Sequence, residues 1–236
     1  MKQKGYEIKD KYEELILPNL VARLHDVGIQ LSEHQLRQFS KYIREILTWN
    51  QKANLISKRD ESRILGRHFL ESAVLSLFDV FQKDLSVLDL GSGGGFPGVP
   101  LKIVRPDLSM TLMDSKRMKV LFLKNLIEKL ELENVTVFCM RAEDAAVKPE
   151  FQKNFDIVIS RAVATLPILY KWAQPFIKIH GLLIAMKGSK VLSEIQELKK
   201  YNAYLTYEIK PLPLKGTSRT KEQRVVFVYP REKLSK

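Results

Sequence analysis

The stretch Val87-Leu88-Asp89-Leu90-Gly91-Ser92-Gly93-Gly94-Gly95-Phe96-Pro97-Gly98 constrains this chain more than any other. An apolar run carries an acid near its end, breaks into glycines, and resumes as Val99-Pro100-Leu101-Lys102-Ile103-Val104. That order describes a buried strand, a tight turn and a helix. Gly91, Gly93 and Gly95 allow positive φ and let a ligand approach without meeting a Cβ. The helix that follows directs its N-terminal amides and the positive end of its dipole at the same space.

Around this unit strands and helices alternate. Apolar strands are predicted at Val87–Leu90, Met110–Met113, Val135–Met140, Phe155–Ser160, Leu182–Met186, Tyr204–Ile209 and Val225–Tyr229, with helices at Val99–Val104, Lys116–Leu130, Leu166–Ile179 and Val191–Lys200. Repeated βα units imply a mostly parallel sheet with helices on both faces. The last two strands lack an intervening helix and are expected to pair antiparallel. Residues 1–80 read instead as a helical extension, expected to pack on a core formed by 81–236. Tyr12, Leu15, Ile16, Leu20 and Leu24 recur at helical spacing, with a kink expected at Pro18. Ser32-Glu33-His34-Gln35 has the form of a capping box. It opens a helix with Leu36, Phe39, Tyr42, Ile43, Ile46 and Leu47 on one face, and a third helix carries Ile64, Leu65, Phe69, Ala73, Val74 and Leu77.

The charge points to the class of partner. The 236 residues carry 39 Lys and Arg against 27 Asp and Glu, a formal net charge of +12. Nucleic acid is the leading partner for such a balance; an anionic membrane surface or plain solubility would also accommodate it. One cysteine, Cys139, excludes an internal disulfide and fits a reducing compartment. It falls in a predicted strand and is read as a core residue. No apolar run approaches the roughly 20 residues of a membrane span, and Met1–Tyr6 has no signal-peptide character. A cytoplasmic protein without membrane attachment, and a monomer, is the expectation. The four histidines and one cysteine show no metal-ligand spacing.

In open α/β sheets ligands sit beyond the carboxyl ends of the strands, so the loops after successive strands converge. These loops contain the glycines, then Asp114, then Arg141-Ala142-Glu143-Asp144, then Arg161-Ala162. A carboxylate about 20 residues beyond a glycine turn suits ribose hydroxyls. The dinucleotide fingerprint requires glycine at the sixth position counted from Gly91, where Phe96 stands, which argues against NAD. The arrangement Asp-x-Gly-x-Gly-x-Gly, Asp89 to Gly95, resembles instead the first motif of class I S-adenosylmethionine (SAM) methyltransferases, a Rossmann-like fold whose sheet also ends antiparallel.

Further segments narrow the resemblance. Trp49-Asn50-Gln51-Lys52-Ala53-Asn54-Leu55-Ile56-Ser57, Arg67-His68-Phe69-Leu70-Glu71-Ser72, the glycine stretch through Phe96-Pro97-Gly98, Leu112-Met113-Asp114-Ser115, Arg141-Ala142-Glu143, Ser160-Arg161-Ala162 and Met186-Lys187-Gly188 stand in the order of one family. Together they are similar to the ribosomal RNA small subunit methyltransferase G family, also called glucose-inhibited division protein B. The resemblance implies methyl transfer from SAM to N7 of a guanine in 16S rRNA, with S-adenosylhomocysteine as product. It implies cofactor contacts at Gly91, Gly93, Phe96, Asp114, Ala142, Glu143 and Arg161. Arg161 could equally clamp an RNA phosphate or form a structural ion pair.

No residue is assigned as a general base. Neutral guanine already offers its N7 lone pair, so His68 need not remove a proton. Asn50, Asn54, His68, Lys187, Arg219 and Arg224 are candidates for the RNA side, against the plainer readings of a core histidine, helix ends and solvated charges. Lys58-Arg59, Arg63, Arg67, Lys116-Arg117, Lys119 and the loop 215–221 are candidates for phosphate contacts. The expected partner is 16S rRNA in the small subunit or an assembly intermediate of it. Alternatives are a SAM-dependent methyltransferase acting on another RNA, a protein or a small molecule, and a non-catalytic SAM-binding RNA partner.

Overall fold

A computed structural model describes residues 16–56, 65–202, 205–214 and 223–230. Helix α1 covers 16–26 among the described residues, and the stretch before Pro18 where the kink is expected lies largely outside them. Helix α2 (Glu33–Ala53) starts with the anticipated capping box. Ser32 Oγ accepts from Gln35 N at 3.2 Å, and Gln35 Oε1 accepts from Ser32 N at 2.9 Å. The third helical segment, α3, is π-helical over Leu65–Leu70, α-helical over Glu71–Ala73 and 3₁₀ over Val74–Leu77.

The alternating part then runs β1 (Ser86–Leu90), α4 (Gly98–Val104), β2 (Ser109–Asp114), α5 (Arg117–Lys129), β3 (Val135–Cys139), α6 (Ala142–Ala146), β4 (Phe155–Arg161), α7 (Leu166–Ala173), β5 (Ile177–Lys187), α8 (Val191–Tyr201), β6 (Thr206–Pro211) and β7 (Arg224–Tyr229). The seven strands form one sheet in the order β3-β2-β1-β4-β5-β7-β6. Strands β1 to β5 are mutually parallel, and β7 runs antiparallel to both β5 and β6.

Alternation along the strands divides the core in two, as period-2 side-chain direction requires. Val87, Leu112, Ile157, Ile159, Ile184 and Phe227 pack on one face together with Leu20, Leu24, Phe39, Tyr42, Ile43 and Ile46 of the extension and with α4 and α5. Leu88, Leu90, Val158, Leu183, Val226 and Val228 face the other way, onto α7 and α8. Polar bonds reinforce the first layer. Gln35 Nε2 donates to Ile103 O at 2.7 Å and Gln38 Nε2 to Leu130 O at 2.8 Å, which binds α2 to the final turns of α4 and α5.

Three local expectations need correction. The helix expected to reach Ile179 ends at Ala173, because Ile177 already pairs with Phe155 as the start of β5. Cys139 is exposed: β3 is an edge strand and its final residue turns outward. The segment after β3, expected as a loop, forms the short helix α6.

The close fit of α4 on the sheet depends on Gly98. A Cβ there would lie 2.6 Å from Asp89 Oδ2 and 2.8 Å from Leu112 Cδ2. This is the packing role that a third fingerprint glycine serves in dinucleotide folds, displaced here two residues beyond Phe96. Gly98→Ala is therefore expected to destabilise the protein by about 1–3 kcal/mol through overpacking. Urea unfolding checks this, and an unchanged midpoint would refute it.

Candidate functional site

The glycine turn is strapped to the end of β2. Gly91 N and Ser92 N both donate to Met113 O, at 2.8 and 3.0 Å, and Met113 N donates to Ser92 Oγ at 3.1 Å. Within the turn Ser92 Oγ donates to Asp89 O at 2.9 Å and Gly95 N to Ser92 O at 2.7 Å. Gly91, Gly93 and Gly95 have φ of +78°, +57° and +92°, the left-handed region that glycine enters at least cost.

These glycines face different surroundings. Around the Cβ position of Gly93 the nearest atoms are Lys119 Nζ at 3.6 Å and Gly91 O at 3.8 Å, so the residue opens onto the site. At Gly91 a Cβ would collide with Val163. At Gly95 it would come within 2.5 Å of Tyr42 Oη and 2.9 Å of Val99 Cγ2. Gly95 thus serves the seating of α2 rather than ligand approach. Tyr42 Oη donates to Gly94 O at 2.5 Å, and its ring stacks on Phe96 with centroids 5.5 Å apart.

Two adjoining lobes open above the turn. The larger, about 490 Å³, is walled by the glycine turn, Phe96, His68, Arg161, Leu55 and Ile56, with Lys116 and Lys119 also lining it. The smaller, about 200 Å³, lies among Leu90, Met140, Ala142, Glu143 and Trp172. Gly91, Asp114, Ser115 and Val163 border both. Asp114 sits at this junction with each oxygen engaged: Oδ2 accepts from Gly93 N at 2.9 Å and Oδ1 from Lys116 N at 2.8 Å. A carboxylate has about four acceptor positions, more than these two bonds use.

The far wall comes from β4 and from the extension. Arg161, the last residue of β4, donates through Nη1 to Arg67 O at 3.0 Å, and its guanidinium carbon stands 5.5 Å from the Phe96 ring centroid. His68 is buried with its ring 5.0 Å from that of Phe96. Ala162 has φ +56°, an uncommon conformation for a residue with a Cβ and one that concentrates at functional sites.

Gly91, Gly93, Phe96, Asp114, His68 and Arg161 therefore meet in the larger lobe, and Ala142 and Glu143 complete the smaller. Other candidates are engaged elsewhere. Asn50 is buried and its Oδ1 accepts from Ile56 N at 2.9 Å, holding the segment whose Leu55 and Ile56 wall the cavity. Asn54 is the exposed, left-handed C-cap of α2. Lys187 donates to Ala164 O at 2.6 Å and pairs with Glu194 at 2.8 Å, so its charge fastens β5 to α8 instead of facing a substrate. Arg224 stands opposite Lys187 in the β5–β7 ladder. Arg219, Lys58, Arg59, Arg63 and the loop 215–221 lie outside the described residues.

Some lining residues escaped the sequence reading. Val163 and Trp172 carry no local signal. Leu55 and Ile56 resemble core positions, and only the turn that follows α2 brings them to the site.

The family profile described as rRNA small subunit methyltransferase G matches residues 35–225. A curated relative of that name from Oceanobacillus iheyensis is 36% identical over 222 residues, 90% of this chain and 93% of the relative. One from Clostridium tetani is 40% identical over 181 residues, 77% and 76% of the two chains. Among solved structures, the YcgJ protein from Bacillus subtilis superposes with a TM-score of 0.54 at 13% identity, covering 70% of this chain and all of that one. TYW2 from M. jannaschii, solved in complex with AdoMet, gives 0.51 at 17% identity over 73% and 76%. These two likenesses concern the fold.

Asp89 lies beneath the turn, fully buried, with Oδ2 accepting from Gly98 N at 2.9 Å. Burial pushes its carboxyl from 3.8 up to about 7, against the opposing pull of the Gly98 amide and Ser92, with the charge of Asp114 adding to the rise. A folded-state value above the unfolded one means that the native protein holds a proton longer. The stabilisation this gives is complete below the unfolded value and is lost as pH rises through about 7. Asp89→Asn keeps an acceptor for Gly98 without the titration. Thermal unfolding should show the Asn variant gaining on the parent between about pH 4 and about pH 7; parallel curves across that range would refute the assignment.

Proposed function

The chain belongs to the rRNA small subunit methyltransferase G family, and on that premise we propose how its own residues divide the work. The fold is that of class I SAM-dependent methyltransferases, a mostly parallel sheet closed by an antiparallel final strand with helices on both faces. The activity is methyl transfer from SAM to small-subunit rRNA, at N7 of a guanine in 16S rRNA. The observation that carries the residue reading is the two-lobed cavity whose lobes meet at Gly91 and Asp114.

A nucleoside joined to a charged amino acid fits these two lobes. In our reading Ala142 and Glu143 take the adenine in the smaller lobe, backbone to the ring edge and carboxylate to the amino group. Asp114 accepts from the ribose hydroxyls with its two remaining positions while its other two fix the Gly93 and Lys116 amides. Gly91 and Gly93 offer a side-chain-free floor to the methionine part, and Phe96 and Arg161 close its far end. When bound, SAM supplies an electrophilic methyl on a sulfonium.

The chain's task is then alignment. The N7 lone pair needs no base to expose it, so rate depends on holding nucleophile, methyl and sulfur in line at roughly 3–3.5 Å. Phe96, His68, Leu55 and Ile56 give the larger lobe apolar and aromatic walls suited to a purine, and specific RNA readers favour unstacked bases. Lys116 and Lys119 put positive charge at the same lobe, where phosphates of the bound strand would lie.

The small subunit or an assembly intermediate is the proposed form of the substrate. A monomer in the cytoplasm is the proposed state of the enzyme, with 1–80 an extension packed on a methyltransferase core of 81–236. Among the described residues no helix is long and apolar enough to cross a membrane.

Asp114→Ala should weaken SAM binding by about 1–3 kcal/mol, the loss of a buried partner; native affinity by calorimetry would remove the ribose assignment. His68→Ala should retain appreciable turnover, and complete loss with folding and SAM binding intact would restore it as a base. Mass spectrometry of 16S rRNA from a deletion strain should show the N7-methylguanosine missing; its persistence would sink the substrate assignment.

A further inference from the structure

Among the buried charges that line neither lobe, one stands beside Arg161. Glu71, in the α-helical stretch of α3, is 4% exposed. A carboxylate is kept from water only where a partner compensates it. Its Oε2 lies 3.7 Å from Arg161 Nη1. That same Nη1 donates to the carbonyl of Arg67, in the π-helical stretch just before. Such stretches displace the regular backbone ladder and recur at functional sites. Phe96 lies against the guanidinium as well. Two of these three contacts come from the extension, although Arg161 itself ends a strand of the sheet.

An arginine used only for loose phosphate attraction has no need of a buried carboxylate behind it. A long side chain loses rotamer freedom when a ligand fixes it, and fixing it beforehand reduces that loss. We propose that Glu71 is a positioning residue: its carboxylate aims the Arg161 guanidinium at the anionic end of the ligand in the larger lobe, the methionine carboxylate of SAM. This rests on the reading above that Arg161 faces the cofactor. It makes α3 a component of cofactor binding as well as a wall of the base pocket.

The test is calorimetric titration of SAM into the full chain and into Glu71→Gln, Arg161→Ala and the double variant, with thermal unfolding of each alongside. Glu71→Gln should raise Kd about tenfold. The double variant should bind no worse than Arg161→Ala, because the carboxylate then has nothing to aim. Glu71→Asp keeps the charge with a shorter reach and should give an intermediate Kd; it decides the matter where the Gln variant does not fold, native affinity then overturning the proposal. Native affinity in a folded Glu71→Gln variant, beside weakened Arg161→Ala, would overturn the role of Glu71 and leave the cofactor reading of Arg161 standing. Native affinity in Arg161→Ala would overturn both. Additive losses in the double variant would mark Glu71 as a structural residue and overturn the proposal too.

Discussion

The buried contact between Asp89 and the first amide of α4 sets the register of everything above it. Oδ2 of Asp89 holds Gly98 N, and the absence of a side chain on Gly98 is what allows the helix so close. Once α4 is seated there, the seven residues between Leu90 and Gly98 must close in a short arc. That arc is the glycine turn, and its positive φ angles follow from the distance it has to cover. The cost of burying a carboxylate is offset by an amide that would otherwise be an orphan at a helix N-terminus. Strand β2 then receives the turn through the Met113 carbonyl and Asp114, so the acid at the junction of the lobes is placed by the same backbone.

The helical extension takes part in this arrangement. Tyr42 reaches the turn from α2, and Leu55, Ile56 and His68 wall the larger lobe. The sheet contributes the loops after β1, β2 and β4 that border the cavity. The extension contributes the surfaces that narrow what enters beside them. Removing it would expose Phe96, now enclosed by Tyr42, His68 and Phe69, and would take away the acceptors that hold Arg161.

Much of this was legible in the residues. Strand periodicity, the glycine run and the spacing to Asp114 point to the sheet and to the edge at which the cavity opens. What misled was the assumption that one residue type serves one purpose. Gly95 reads as a ligand-facing glycine, yet its missing Cβ makes room for a tyrosine more than 50 residues earlier in the chain. Phe96 stands where the dinucleotide fingerprint needs a glycine, but Gly98 takes the packing role of that glycine and leaves the Phe96 ring to line a cavity. Lys187, Asn50 and Asn54 sit beside site motifs in sequence, while Lys187 donates to Ala164 O, Asn50 accepts from Ile56 N and Asn54 caps α2 in a left-handed conformation. Tertiary distance, which no local pattern encodes, separates these cases. The same holds for Val163, in the segment between β4 and α7, and for Trp172, on α7, which come to the cavity from separate places in the chain.

The strand order has a consequence for the life of the nascent chain. Strand β7 is the last of the seven to be made, yet it lies between β5 and β6, and among the described residues β6 has no other neighbour in the sheet. While synthesis is still short of residue 224, β6 cannot join the sheet and the outer edge of β5 stands open. The glycine turn, its strap to β2 and the far wall on β4 can all form earlier, since their strands are already neighbours. A growing chain thus acquires the outline of the cavity above the glycine turn before its sheet is closed. During that interval the bare β5 edge, rich in Leu, Ile and Ala, is the surface through which two unfinished chains would adhere.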